Sequence, residues 1–302
     1  MNLTWQLAAL FRLAANAAGT YWGRKIANRD TFSVSLALLY FTAAAFSVCT
    51  AVLFGQFEIS RTTLIIGCIG IGNGAAMYFL LMANSKSTAQ NGFFTAFDDI
   101  GAMVLTAIYI PTTVIVIHER NILGMALCLG AAFGLAYNNY RKKRKQETGA
   151  IPMIFYLYAV LYTVLWGIAI FVLGFFAVKD IGVWRFSAAW YTGSALTSLL
   201  ILAIDGIGLL PHPEKPERAS TRTIILEAVG LGLSTSLALV CQYTAFRAVS
   251  LIILQPLFLV SDLLVAITIG VVFWGEGRKL DWRDYLYLIV GTAGFLVIFL
   301  FA

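Results

Sequence analysis

Apolar residues run along this chain in stretches of about 20, the length at which a helix crosses a hydrocarbon core of about 30 Å. Ten stretches are predicted to do so: Leu3 to Gly23, Phe32 to Phe54, Thr62 to Ala83, Ser87 to Ile110, Ile122 to Asn139, Pro152 to Val178, Val183 to Ile204, Thr223 to Phe246, Leu251 to Trp274 and Tyr285 to Phe301. The first is read as a span and not as a cleaved signal peptide, because MNLTWQLAALF has no basic start and Arg12 interrupts its apolar run. Short loops leave no room for a soluble domain, so any chemistry lies within the bundle or at its mouths. Aromatic residues at predicted span ends, Tyr21-Trp22, Trp184, Trp274 and Trp282, suit the headgroup level.

The fourth stretch departs from uniform apolarity. Turned at about 100° per residue, Ser87, Thr88, Asn91, Thr95, Asp98, Asp99, Ala102 and Thr106 share an arc of about 120°, while Phe93, Phe97, Ile100, Val104 and Ile108 form the apolar side. An aspartate at mid-bilayer costs about 2.5–3.5 kcal/mol, and an apolar residue returns only about 0.3–0.6 kcal/mol. Two adjacent carboxylates are therefore expected to face water or a partner inside the bundle.

Composition sharpens the class. Hydrophobic residues make up 60% and charged residues 12% of the chain, and the mean hydropathy is +0.83, far from an ordinary soluble domain. The net charge of +6 resides in short loops, which suits membrane orientation better than nucleic-acid binding. Cys49, Cys68, Cys128 and Cys241 sit singly in apolar runs, so they are expected to pack and not to form disulfides or a zinc site. With only His118 and His212, both in loops, no metal ligand set is expected. No nucleotide-binding loop occurs and no cofactor is implied.

Arg24, Lys25, Arg29, Lys86, Arg141 to Lys145, Lys215, Arg218, Arg222, Arg278, Lys279 and Arg283, most of the 21 basic residues, follow the odd-numbered stretches. Those loops are predicted cytoplasmic, with both termini outside. A shift of 150 positions lays Arg29-Asp30 on Lys179-Asp180 and Tyr40 to Ala45 on Trp190 to Ala195. Larger shifts pair Gly70 and Gly72 with Gly230 and Gly232, and Asp99 with Asp262. Such collinear matches predict two five-helix repeats, 1–146 and 147–302, within one transmembrane domain, and an odd number of spans per repeat makes them inverted.

The segment from Gln242 onward resembles the closing three spans of the drug/metabolite transporter superfamily in its EamA-like ten-span branch. Ala245, Pro256, Gly275-Glu276, Gly291 and Gly294 carry the likeness, and the layout extends it over the chain. The resemblance implies a carrier of small metabolites, often an exporter, with a central cavity between the two halves. Asp98-Asp99 without a matching proline departs from that pattern. Arg12 stands in the first helix, where small four-span relatives that expel cations use a glutamate, which counts against cationic-drug antiport.

The candidate substrate-binding or proton-coupling residues are Asp98, Asp99, Asn91 and Thr95 on the fourth stretch, Asp262 and Gln255 on the ninth, Arg12 and Asn16 on the first, and Tyr162 and Trp166 on the sixth. Asp99 is the sharper cavity candidate, and Asp98 is expected to pair with Arg12. A guanidinium on one wall and aromatic faces on another would suit a zwitterion. Gly70, Gly72, Asn73 and Gly74 would loosen the third helix or permit close packing; Gly124, Gly130, Gly134, Gly291 and Gly294 are expected to permit close packing. The expected function is a secondary transporter of a small polar metabolite, in contact with lipid, in a bacterial inner membrane, and not an enzyme. An intramembrane enzyme on a lipid-linked substrate and a non-transporting subunit are the alternatives. A topology reporter fused after Ala302 is expected to read extracytoplasmic; a cytoplasmic reading would reverse the orientation.

Overall fold

The computed structural model describes residues 4–26, 32–86, 88–110, 119–144, 153–208, 220–274 and 281–301. Its helices are α1 (Thr4–Ile26), α2 (Phe32–Leu53), α3 (Arg61–Lys86), α4 (Thr88–Tyr109), α5 (Glu119–Arg144), α6 (Met153–Val178), α7 (Val183–Gly206), α8 (Thr221–Ala248), α9 (Leu251–Trp274) and α10 (Trp282–Phe301).

Polar residues at helix ends fix where several of these begin and stop. Ser60 and Thr63 cap α3 reciprocally, the Thr63 N–H donating to Ser60 Oγ (3.3 Å) and the Ser60 N–H to Thr63 Oγ1 (2.7 Å). At α10 the Asp284 N–H donates to Asp281 Oδ1 and the Asp281 N–H to Asp284 Oδ2, both at 3.0 Å. Helix α2 closes in a Schellman turn: Gly55 (φ 64°) bonds back to Val52 and Gln56 to Ala51. Helix α6 closes the same way with Asp180 in the left-handed position (φ 59°). These two turns meet, since the Trp184 N–H donates to Gln56 Oε1 (3.1 Å) and Arg185 pairs with Glu58.

Among the described residues, six helices are long and apolar enough to cross a membrane: α2, α3 over Arg61–Ala83, α6, α7, α8 and α10. Leu64, Val160, Leu200, Leu226 and Ile289 stand exposed on their outer faces, where lipid is the natural partner. This is an integral membrane protein. The expectation of ten transmembrane helices in two inverted five-helix repeats is thereby corrected. Only α2 and α3 of the six precede residue 146, and four follow it. Helix α1 carries Arg12, Asn16, Arg24 and Lys25, α4 carries Asp98-Asp99, and α5 runs from Glu119-Arg120 into Arg141 to Arg144. Helices on either side of residue 146 pack on one another: α1 on α8, α5 on α10, α2 and α3 on α7, and α3 and α4 on α6.

Glycine sets the closest of these approaches. A Cβ on Gly70 would run into the backbone of Trp190, one on Gly193 into the Gly67 carbonyl, and one on Gly74 would lie 2.8 Å from Thr197 Cβ. Helix α3 is continuous through Gly70 to Gly74, so Gly70 and Gly74 admit α7 and do not loosen the helix. Helices α5 and α10 meet likewise, Gly124 against Ile298, Gly294 against Cys128 and Gly134 against Tyr287. Gly130 was expected to join them, but nothing lies within 4 Å of its place for a Cβ. Of the cysteines, Cys128 and Cys241 are buried, whereas Cys49 and Cys68 are exposed and do not pack inside.

Gly193→Ala is expected to destabilise the protein by about 1–3 kcal/mol, the usual cost of overpacking. Gly130→Ala should be neutral or slightly stabilising, because it fills open space with a better helix former. Thermal unfolding of the two variants in detergent checks the contrast.

Candidate functional site

Helix α9 packs on both α1 and α4. Gln255 and Asp262 are seven positions apart, so they fall two turns apart on one face, and each reaches a different neighbour.

At Asp262 the partner is Arg12. Its Nη1 and Nη2 donate to the two carboxylate oxygens at 2.7 and 2.8 Å, a bidentate pair. Asn16, one turn beyond Arg12 on α1, donates to Asp262 Oδ1 (2.6 Å). Arg12 Nε donates to Gln242 Oε1 on α8 (3.2 Å), and the guanidinium lies 4.2 Å from the Phe258 ring centroid. The Arg12 side chain is 8% exposed and that of Asp262 36%, so the pair has a buried end and an open end. The expected pairing of Arg12 with Asp98 is corrected: the guanidinium goes to α9, because α1 packs on α8 and α9.

At Gln255 the partner is Asp99, whose Oδ1 accepts from Gln255 Nε2 at 2.6 Å. Asp98 turns back on its own helix, its Oδ1 accepting the Asp99 N–H (2.8 Å). Both aspartates are buried. A Cβ on Gly167 would lie 3.0 Å from the Asp98 carbonyl oxygen, so this glycine seats α6 against the acidic turn. The charges of Asp98 and Asp99 interact, and the field of Asp262 reaches both. Three carboxylates thus share one neighbourhood with one guanidinium.

The aromatic residues divide. Tyr162 is fully buried in a cluster with Ala83, Phe155 and Ala159, within the field of the two aspartates. Trp166 points its indole N–H at Asn73 Oδ1 on α3 (3.1 Å). Asn73 Nδ2 in turn donates to Ser194 Oγ on α7 (3.0 Å), and Ser194 Oγ donates to the Gly70 carbonyl (2.9 Å). Trp166 therefore belongs to a polar knot among α3, α6 and α7 and does not line a wall opposite Arg12. Asn91 and Thr95 lie on α4, where the side chains of 88–96 fall outside those described, as do Gly275 and Glu276 altogether.

Sequence reasoning missed Gln242 and Phe258 as partners of Arg12. A lone amide in the apolar run of α8 signals the first. Phe258 stands four positions before Asp262 and so one turn away on the same face, but nothing local marks it as the seat of a guanidinium. Among the described residues no group of three or more His, Cys, Asp or Glu could hold a metal ion.

No family model matches the sequence, and no curated protein matches it. A solved structure described as "Crystal structure of protein" is similar, with a TM-score of 0.72 over 98% of this chain and 98% of its own at 15% sequence identity. At that identity the likeness is one of fold, and it runs from end to end.

Arg12→Met or Asp262→Leu alone should cost about 3 kcal/mol, the lower end for breaking a buried pair because the Asp262 side of this one is partly open. The double variant should recover most of that loss, since neither charge is then stranded. Unfolding of the four proteins in detergent gives the coupling energy; strict additivity would show that the pair carries no interaction of its own.

Proposed function

We propose that this protein is a secondary transporter, an exporter of a small polar metabolite of the amino-acid or related zwitterionic class. It would expose the site between α1, α4 and α9 alternately to the two sides of a bacterial inner membrane, with both termini extracytoplasmic. The observation that carries the reading is the surplus of carboxylate at that site. Asp98 and Asp99 are buried on α4, and Asp262 alone takes the Arg12 guanidinium, in an apolar helical protein where each aspartate costs about 2.5–3.5 kcal/mol to insert. A helix-joining role needs one pair, and Arg12 with Asp262 supplies it. Two further carboxylates are left for an amine or for a coupling proton.

The resemblance of the last three helices to the drug/metabolite transporter superfamily, in its EamA-like branch, supports the same reading. Pro256 lies inside α9, one residue from Gln255, where the missing N–H removes one rung of the helical ladder close to the site. Arg12 was expected to stand open to a substrate carboxylate; it already spends three of its five donors on Asp262 and Gln242. A carboxylate arriving there would compete with Asp262, and this exchange is a means by which substrate could unlatch α1 from α9.

Purified protein in liposomes, screened over amino acids, amines, nucleosides and sugars with and without a pH gradient, should move at least one amine-bearing solute. Asp99→Asn should lower that rate at least about tenfold, the effect of losing one charge-assisted contact. Rates unchanged in Asp98→Asn, Asp99→Asn and Asp262→Asn would remove the site while leaving the fold standing.

A further inference from the structure

We infer that Asp98, Asp99 and Gln255 form a subsite for a protonated primary amine, with the Arg12–Asp262 pair serving as its structural wall. The inference rests on the transporter reading above and narrows the chemistry of what that site takes.

Gln255 is nine-tenths buried and more, and its amide is only half used. Nε2 donates to Asp99, while Oε1 is buried without a hydrogen-bond partner. An orphaned amide oxygen inside a protein costs about 1–3 kcal/mol, and here it belongs to the amide that bonds Asp99, the neighbour of Asp98 in the acidic turn. Among the described residues Asp98 accepts from the Asp99 N–H and Asp99 from Gln255, and a carboxylate has room for further donors. The site is therefore rich in acceptors and short of donors. The guanidinium whose field reaches Asp99 is that of Arg12, and it is held by Asp262.

The number of acceptors discriminates among cations. A primary ammonium carries three N–H donors in a compact group, and Asp98, Asp99 and Gln255 Oε1 offer three acceptors. A quaternary ammonium has no N–H and would leave Oε1 orphaned. A hard metal ion takes about six oxygens or more, whereas three side chains on two helices are offered here, and even the carbonyl of Ile252, which Pro256 leaves without its helical donor, would not complete such a set.

Thermal unfolding of the purified full-length protein in detergent tests this directly. Methylammonium chloride, tetramethylammonium chloride and sodium chloride are titrated separately at fixed pH and ionic strength. Methylammonium should raise the Tm saturably and the other two should not, a contrast that needs no variant. Gln255→Leu, which removes the orphan oxygen, should weaken the apparent methylammonium affinity about tenfold, and Asp99→Asn at least as much. Equal protection by all three salts, stronger protection by tetramethylammonium or sodium, no protection, or an unaltered affinity in Gln255→Leu would each overturn the assignment. Methylammonium binding with no solute moved in liposomes would sink the transporter reading and leave the amine site. Transport of a solute without an amine, unimpaired by Gln255→Leu, would do the reverse.

Discussion

A guanidinium inside an apolar helical protein must be neutralised and hydrogen-bonded, and the way Arg12 meets that demand organises the site. Two donors go to Asp262, one to Gln242, and the planar face rests on Phe258. The contacts come from α8 and α9, so one side chain on α1 ties three helices. Helix α9 is held a second time, two turns away, where Gln255 meets Asp99 of α4. Two polar grips on one face fix its rotation about its own axis. An apolar surface alone would leave that rotation loosely specified, because dispersion is not directional.

The helices divide the work. Those apolar enough to cross a membrane, α2, α3, α6, α7, α8 and α10, supply the walls, and glycines bring several of them to backbone contact. Van der Waals packing and interhelical hydrogen bonds, which drive association in lipid, gain most from such closeness. The knot of Asn73, Trp166 and Ser194 fastens α3, α6 and α7 in this way, with donors and acceptors matched. The charged cluster sits instead on α1, α4 and α9, which are not among the six. Polar residues that make a site also lower the apolarity by which a span is recognised, as Arg12 and Asn16 do on α1.

The contrast between the two polar assemblies is informative. At Asn73 each side-chain polar atom finds a partner, which is what a structural knot requires. At Gln255 one oxygen is left over, next to carboxylates that outnumber the local cation. Buried side-chain oxygens without a partner also occur at Gln6, Ser35, Ser47 and Asn121, and the one at Gln255 differs from them in lying beside the carboxylate of Asp99.

Helix positions were legible from apolar periodicity, and the observed ends fall within a few residues of the predicted ones, because stretch length and polar caps are local properties. The residues worth watching were legible as well: Arg12, Asn16, Asp98, Asp99, Gln255 and Asp262 stand out since polar groups in apolar runs are costly. Which of them meet was not. Sequence suggested Arg12 with Asp98 and a row of Tyr162 and Trp166 facing the cluster, whereas the structure joins Arg12 to Asp262 and sends Trp166 to Asn73. The count of ten spans in paired repeats also gave way to six among the described residues. Periodicity reports which face of one helix is polar, and pairing depends on how far two helices are rotated and slid past each other. That register is set by distant residues such as Gly193 and Gly167, whose missing side chains say nothing until the opposing backbone is in place.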